Sequence, residues 1–285
     1  MLHAMRFSRS LLLKFLAIIV VFCTFVKNYA VMKRILFLLA LAVALLVQAQ
    51  PIQVKVMTFN IHAGHDASLQ EIADLIVSEA PDFVALQEVD CNTHRANSPH
   101  QNGRDFIAEL AHYSGMMGLY CPTIRFSGGY YGIGLLTKHP YIKVENLMLP
   151  NPNAKMEQRA ILEATVVLPS GDTLMVASTH LEAFDASCRQ AQGQYISERY
   201  ATVQYPTIIA GDFNAAPSDS VITDYIAPYW LNCTDSQPTF STQDPTQKID
   251  YIFAQPRDAW TATDSRVIPC NLSDHLPVTA TLRIR

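Results

Sequence analysis

Several things are scarce or absent in this chain of 285 residues, of which 49% are hydrophobic and 16% charged. No internal repeat and no low-complexity tract interrupts it, which excludes a repeat array and a disordered chain and leaves one sizeable globular domain or two small ones. No acidic residue precedes Pro51, while Arg6, Arg9, Lys14, Lys27, Lys33 and Arg34 all do. The cysteines follow no zinc-binding spacing, and the five beyond the first fifth of the chain, Cys91, Cys121, Cys188, Cys233 and Cys270, cannot all pair with one another. Buried thiols are the ordinary reading of such residues. Basic residues are also sparse: the 21 in the chain, less the six before Pro51, leave 15 against 25 acids, a net charge of −10. A surface of that sign carries no broad track for nucleic-acid phosphates, although a local basic strip is compatible with it.

The long apolar runs are confined to the start. "LLLKFLAIIVVFCTFV" (Leu11 to Val26) and "ILFLLALAVALLV" (Ile35 to Val47) each fall short of the roughly 20 residues that span a bilayer. The second, inside "MKRILFLLALAVALLVQAQ", has a basic start, a short apolar middle and small residues at Val47 and Ala49. That is the form of an export signal, with Met32 as its start and cleavage after Ala49. Residues 1–31 then form an upstream extension, residues 32–49 a signal peptide, and residues 50–285 an exported domain, periplasmic or extracellular. A retained membrane anchor is the alternative.

Beyond Pro51 the periodicity changes and no linker intervenes. "IQVKVMTFN" reads as a strand ending at Asn60. "SLQEIADLIVSE" predicts a helix with Ser68 and Glu71 as a capping box and Leu69, Ile72, Ala73 and Ile76 on one face, stopped before Pro81. "DFVALQE" is a strand ending at Glu88, "GRDFIAELAHY" a helix and "YGIGLLT" a strand. "RAILEATVVLPSGDTLMVASTH" reads as two strands about a turn, the second ending at His180. A helix over Phe184–Glu198 follows, then the strands "TIIAG", "KIDYIFA" and "LPVTATLRI". Interleaved strands and helices with hairpins among them imply an α/β layered domain with mixed sheets.

Polar residues recur where these strands end. Asn60 follows "VMTF", Glu88 follows "FVALQ", His180 follows "LMVAST", and Asp212 and Asn214 follow "TIIAG"; Asp250 lies in "KIDYIF", and Asp274 and His275 precede "LPVTATL". Each alone is an ordinary turn former or half-buried polar residue. Carboxylates, imidazoles and carboxamides at successive strand ends would converge on one rim, giving a hard-cation ligand, two acid–base candidates and neutral donors.

This set and its order resemble the endonuclease/exonuclease/phosphatase superfamily of metal-dependent phosphoesterases. The matching stretches are "TFNIHAG", "LQEVD", "YGIGLLTKHP", "EQRAILEA", "STHLE", "GDFNAAPSD", "KIDYIF" and "SDHLPV", spread over nearly all of residues 52–284. The resemblance implies two mixed β-sheets packed face to face with flanking helices, a four-layer α/β sandwich. It implies one Mg²⁺ or Mn²⁺ on Glu88, with Asn60 beside it and Asp274 in support. His275 would be held by Asp250 and, with Asp212, would orient and deprotonate the attacking water, which of the two takes the proton being left open. Asn214 would donate to a non-bridging oxygen, and His180 would bind the phosphate and assist departure of the leaving group. Phe213 would turn into the core. His62, His65 and Arg159 stand near the same stretches with less defined parts, and Tyr131 reads as a packing residue.

"STHLE" followed by a helix with Arg189 and Gln192 is similar to the branch of sphingomyelinases, other lipid phosphodiesterases and deadenylase-like enzymes. His180 stands where abasic-site endonucleases carry a tyrosine-containing motif. The expected substrate is therefore a small-molecule or lipid phosphoester; an exported nuclease acting on nucleic acid is the alternative, and no obligate protein partner is implied. A non-catalytic binding module on the same fold would be expected to lack at least one of Glu88, His180, Asp212 and His275, and all four are present.

Overall fold

The computed structural model describes residues 29–46 and 52–284. The chain divides into two compact units, Met1–Gln50 and Pro51–Arg285. Of the first, helix α1 (Tyr29–Leu46) is described. It holds most of the segment read as a signal, while the cleavage point after Ala49 and the extension up to residue 28 lie outside the described residues. Among the described residues no helix is long and apolar enough to cross a membrane.

The second unit is built on twelve strands in two six-stranded sheets. The strands are β1 (Gln53–Asn60), β2 (Phe83–Cys91), β3 (Met117–Phe126), β4 (Gly129–Thr137), β5 (Tyr141–Met148), β6 (Ala160–Val167), β7 (Thr173–His180), β8 (Thr207–Asp212), β9 (Leu231–Asn232), β10 (Asp250–Gln255), β11 (Trp260–Val267) and β12 (Val278–Ile284). One sheet runs in the order β11-β12-β1-β2-β4-β3 and the other β5-β6-β7-β8-β10-β9. Each has one parallel pair at its centre, β1 with β2 and β7 with β8, and antiparallel neighbours outside it. Mixed sheets of this kind are what interleaved helices and hairpins require.

Three apolar layers hold the unit together. Between the sheets lie Val54, Val56, Phe83, Ala85 and Leu135 from one and Leu162, Val176, Ile208 and Ile252 from the other. The outer face of the first sheet packs under α2 (Leu69–Glu79) and α3 (Phe106–Ser114), and that of the second under α4 (Ala186–Tyr200). Helix, sheet, sheet and helix are the four expected layers. Helix α2 forms as its sequence requires: the Ser68 side chain accepts from Glu71 N, Glu71 Oε2 accepts from Ser68 N, and Leu69, Ile72, Ala73 and Ile76 are all buried.

Strands β3, β5, β9 and β11 have no counterpart among the sequence expectations. All four are sheet edges. Strand β5 is exposed along most of its length, and β11 buries only Trp260 fully. An edge strand with little burial has no apolar period to read.

Candidate active site

The centre of the site follows from strand register. In the parallel pair β7 and β8, His180 stands beside Asp212, and in the antiparallel pair β8 and β10, Asp212 stands beside Asp250. Gly211 makes the first pairing possible: a Cβ there would lie 2.0 Å from the Thr179 carbonyl oxygen, well inside contact distance. Phe213 then turns inward, fully buried against Phe253 and Tyr251 at ring distances of 5.1 and 5.7 Å. Asn214 turns back with φ 47°, its backbone N–H donating to Asp212 Oδ1 (2.8 Å) and its carboxamide to the Leu181 carbonyl (3.0 Å). One N–H of that carboxamide remains for a ligand.

The opposite wall comes from the other parallel pair. Glu88 sits at a bulge, where the register of β2 on β4 shifts between Leu86 and Val89, and its φ is 56°. A bulge re-aims one side chain, and here it presents a half-exposed carboxylate beside Asn60. Asn60 joins the two walls. Its Nδ2 donates to Glu88 Oε1 (3.1 Å) and Asp212 Oδ2 (3.2 Å) and lies 3.4 Å from His275 Nε2. Before β12, Ser273 Oγ donates to the Asn60 carbonyl (2.7 Å) and accepts from His275 N (3.2 Å), which fixes Asp274 and His275 at the rim.

His275 lies between two carboxylates. Its Nδ1 is 3.0 Å from Asp250 Oδ2 and its Nε2 is 3.6 Å from Asp212 Oδ2. Asp250 Oδ2 also accepts from Thr239 Oγ1 at 2.5 Å, and Phe240 packs on the imidazole at 4.8 Å. Burial alone would lower the His275 pKa, but Asp250 and then Asp212 override it and push it up to about 10. Burial, reinforced by the charge of Asp250, raises the Asp212 carboxyl to about 7, against the pull of His275. His180, on the other side of Asp212 at 3.5 Å, is moved the opposite way: burial first, then Arg159, hold its pKa well below the ordinary value. Asp212, Asp250 and His275 each bring one ligand atom within 4.8 Å of the others, an acidic cluster with metal-binding spacing.

All eight strand-end residues singled out in the sequence thus gather in one place. The less defined ones also have positions. His62 stacks on His65 (4.5 Å) and bonds Asp66 (2.7 Å), with Asp274 Oδ1 at 3.6 Å, in a turn where His62, Ala63 and Gly64 all have positive φ. Tyr131 is buried. Arg189 donates to the Glu182 and Ala183 carbonyls and Gln192 accepts from Glu182 N, so both brace the loop after His180. Thr239 and Ser273 had no assigned part in the sequence. Thr239 stands in a polar loop with no pattern to mark it, whereas Ser273 opens the stretch "SDHLPV". Cys91, Cys121, Cys188, Cys233 and Cys270 are free, with Cys121, Cys188 and Cys233 buried.

Comparison with known proteins places this geometry. A sequence profile of the Endonuclease/Exonuclease/phosphatase family matches residues 57–275. No curated protein matches the sequence significantly. Among solved structures, an endonuclease/exonuclease/phosphatase from Beutenbergia cavernae is 23% identical with a TM-score of 0.68, over 81% of this chain and 72% of that one. The catalytic domain of human nocturnin, with a bound sulfate anion, is 21% identical with a TM-score of 0.63, over 82% and 95%. A mannosyl-6-phosphatase from Bacteroides thetaiotaomicron is 14% identical with a TM-score of 0.64, over 80% and 99%. The match of most of the second unit to the family profile, on a sandwich with a buried Asp-His-Asp group at its strand ends, establishes that this chain belongs to the Endonuclease/Exonuclease/phosphatase family of hydrolytic phosphoesterases.

Proposed function

We propose that residues 50–285 form an exported, divalent-metal-dependent phosphodiesterase that acts on a small or lipid phosphodiester. The observation that carries the choice of substrate is the fate of the basic residues. Of the 15 beyond the leader, Lys55, Arg95, Arg104, Lys143, Arg159, Arg199 and Arg266 already pair with carboxylates. A polymer gripped through consecutive phosphates needs cations free to replace its counterions. A single phosphoryl group needs only the donors at the strand ends. Export rests on the basic start and short apolar middle of residues 32–49.

The residues fit a hard ion. Glu88 supplies an anionic oxygen that takes a hydrogen bond from Asn60, and Asp274 and the Asn60 carboxamide add further oxygen donors without any thiolate. Mg²⁺ or Mn²⁺ suits such a set and, when bound there, polarises a phosphoryl oxygen and offsets charge on the leaving group. The buried Asp212, Asp250 and His275 are engaged with one another and serve proton chemistry instead. His275, with a carboxylate at each nitrogen, stays protonated, so the attacking water gives its proton to Asp212, whose pKa of about 7 suits a base. Asp250 and Thr239 hold the imidazole in place. Asn214 and His180 donate to phosphoryl oxygens as charge builds on them.

The test is one substrate panel with purified protein in Mg²⁺, Mn²⁺ or Ca²⁺: a chromogenic phosphodiester, a phosphomonoester, sphingomyelin, a phosphoinositide, and single- and double-stranded DNA. The expected result is cleavage of a small or lipid diester with KM only weakly dependent on salt. Efficient cleavage of long DNA, with affinity falling steeply between low and physiological salt, would make the protein an exported nuclease. Mass spectrometry of protein recovered outside the cell should find an N-terminus at Gln50.

A further inference from the structure

Two histidines flank Asp212, and their far nitrogens meet opposite partners. His275 Nδ1 faces the carboxylate of Asp250 at 3.0 Å. His180 Nδ1 faces the guanidinium of Arg159 at 3.0 Å. A guanidinium has five N–H donors, no acceptor, and never loses its proton in a protein. At that distance Nδ1 of His180 can only accept, so the imidazole proton belongs on Nε2. Nε2 in turn lies 3.5 Å from Asp212 Oδ2, an acceptor, so both neighbours require the same tautomer.

Arg159 is placed and held for this contact. Strand β6 pairs antiparallel with β7, Ile161 beside Thr179, which puts the residue just before β6 next to the end of β7. The guanidinium is buried, 3.0 Å from Glu157 Oε1 and 3.5 Å from Glu182 Oε2. Glu182 is itself fixed, its N–H on Gln192 and its Oε1 accepting from Phe184 N. The two carboxylates hold the guanidinium by charge, and the same Nη1 that approaches Glu157 meets His180.

We infer that Arg159 is a positioning residue that locks His180 as the neutral imidazole with its proton on Nε2, so that His180 meets the phosphoryl group as a hydrogen-bond donor and not as the acid that protonates the leaving group. The part concerning the phosphoryl group rests on the phosphoesterase reading above; the tautomer does not. No proton is transferred to or from His180, and departure of the leaving oxygen is assisted there by a hydrogen bond alone. The sequence expectation that His180 serves the leaving group is narrowed accordingly.

Nitrogen-15 NMR of histidine-labelled protein at pH 7.5 reads the tautomer directly, with the His180 signals assigned by their loss in His180→Gln. His180 should carry one proton, on Nε2. Arg159→Lys, which keeps a donor, should preserve the His180 pattern, and Arg159→Met should give a mixture of tautomers. A doubly protonated His180, a proton on Nδ1, or an unchanged pattern in a folded Arg159→Met would overturn the inference. If Arg159→Met does not fold, the wild-type and Arg159→Lys spectra decide. A kinetic arm compares His180→Ala on diesters with a nitrophenyl and an alkyl leaving group. Losses equal within threefold are expected; a loss at least tenfold greater with the alkyl group would make His180 the acid. Should wild-type protein cleave no ester while showing the Nε2 tautomer, the phosphoesterase reading fails and the positioning role stands.

Discussion

The two sheets have one topology and two chemistries. Read from one edge to the other, β11, β12, β1, β2, β4 and β3 correspond to β5, β6, β7, β8, β10 and β9, with the parallel pair at the same place in each. The corresponding strand ends carry different groups: Asn60 against His180, and Glu88 against Asp212, while His275 before β12 answers Arg159 before β6. On the first sheet Glu88 is half-exposed and aimed outward by a bulge. On the second, His180, Asp212 and Asp250 are all buried and bound to other polar groups. The difference lies in the carboxylates: Glu88 and Asp274 of the first sheet are half-exposed, while Asn60 and His275 are as buried as the groups of the second. Oxygen donors near water suit a hydrated hard cation, and buried titrating groups suit proton transfer.

The sharpest way to break this division is to remove one group from each side. Asp212→Asn should lower kcat by about 10³-fold or more, within the range of a positioned general base, and excess metal should not restore it. Its melting temperature at pH 8 should equal or exceed that of wild type, because burial makes the ionised carboxylate unfavourable. Glu88→Gln should cost roughly a hundredfold in rate at low metal, the loss of several kcal/mol of charge stabilisation, and regain part of it as Mg²⁺ is raised. Recovery of Asp212→Asn by metal, or a Glu88→Gln enzyme with an unaltered metal requirement, would exchange the two assignments.

The pH profile sharpens the same contrast. Asp212 must be unprotonated to accept a proton, so kcat/KM should fall about tenfold for each pH unit below about 7 and level off above it. His275, raised to about 10, should keep its proton across that plateau. The stability consequence has the opposite direction. A carboxyl whose folded pKa lies above its unfolded value binds protons more tightly in the native state, so its contribution declines as pH rises from about 4 to about 7. Activity and melting temperature measured on the same buffers should diverge over that window in wild type and not in Asp212→Asn. Parallel curves would show that Asp212 is not the titrating group.

What could be read from the chain before folding was the list of polar strand ends, because each follows an apolar run that marks its strand. The four layers followed from the alternation of strands and helices. Register was not legible, and neither was anything that depends on it. Arg159 reads as a strand-surface cation until β6 is laid on β7, and Thr239 is one hydroxyl in a loop until its Oγ1 is found on Asp250. Glu88, Asn214 and His62 occupy positive φ without being glycine, a strain of about 1–3 kcal/mol each that no residue type announces. Strands β3, β5, β9 and β11 escaped because an edge strand buries too little to impose a period.

The smallest expected effect concerns charge beneath the second sheet's wall. Lys248 is 6% exposed, its Nζ 3.3 Å from the Asp250 carbonyl and 4.7 Å from the Tyr251 ring. Burial lowers its pKa to about 8, against the opposing charges of Asp235 and Asp250. The unfolded chain keeps this proton to about pH 10.5. Between those values the unfolded state binds more protons than the native state, so stability must rise with pH. Below pH 8 both states are charged and the native state carries the full cost of burying an ammonium, on the order of 3 kcal/mol at 1.36 kcal/mol per unit. Contact with Tyr251 offsets part of what a substitution would recover, by about 1–2 kcal/mol. Lys248→Met should therefore be about 1–2 kcal/mol more stable than wild type at pH 7, raising Tm by several degrees, with the difference shrinking toward pH 10.5. The first sheet offers the control. Lys55 is half-buried and reaches Glu79 at 3.0 Å, so Lys55→Met should not gain stability at any pH. A Lys248→Met variant that melts lower at pH 7, by an amount that does not change with pH, would show that the ammonium is a structural partner of Asp250 and that its burial carries no net cost.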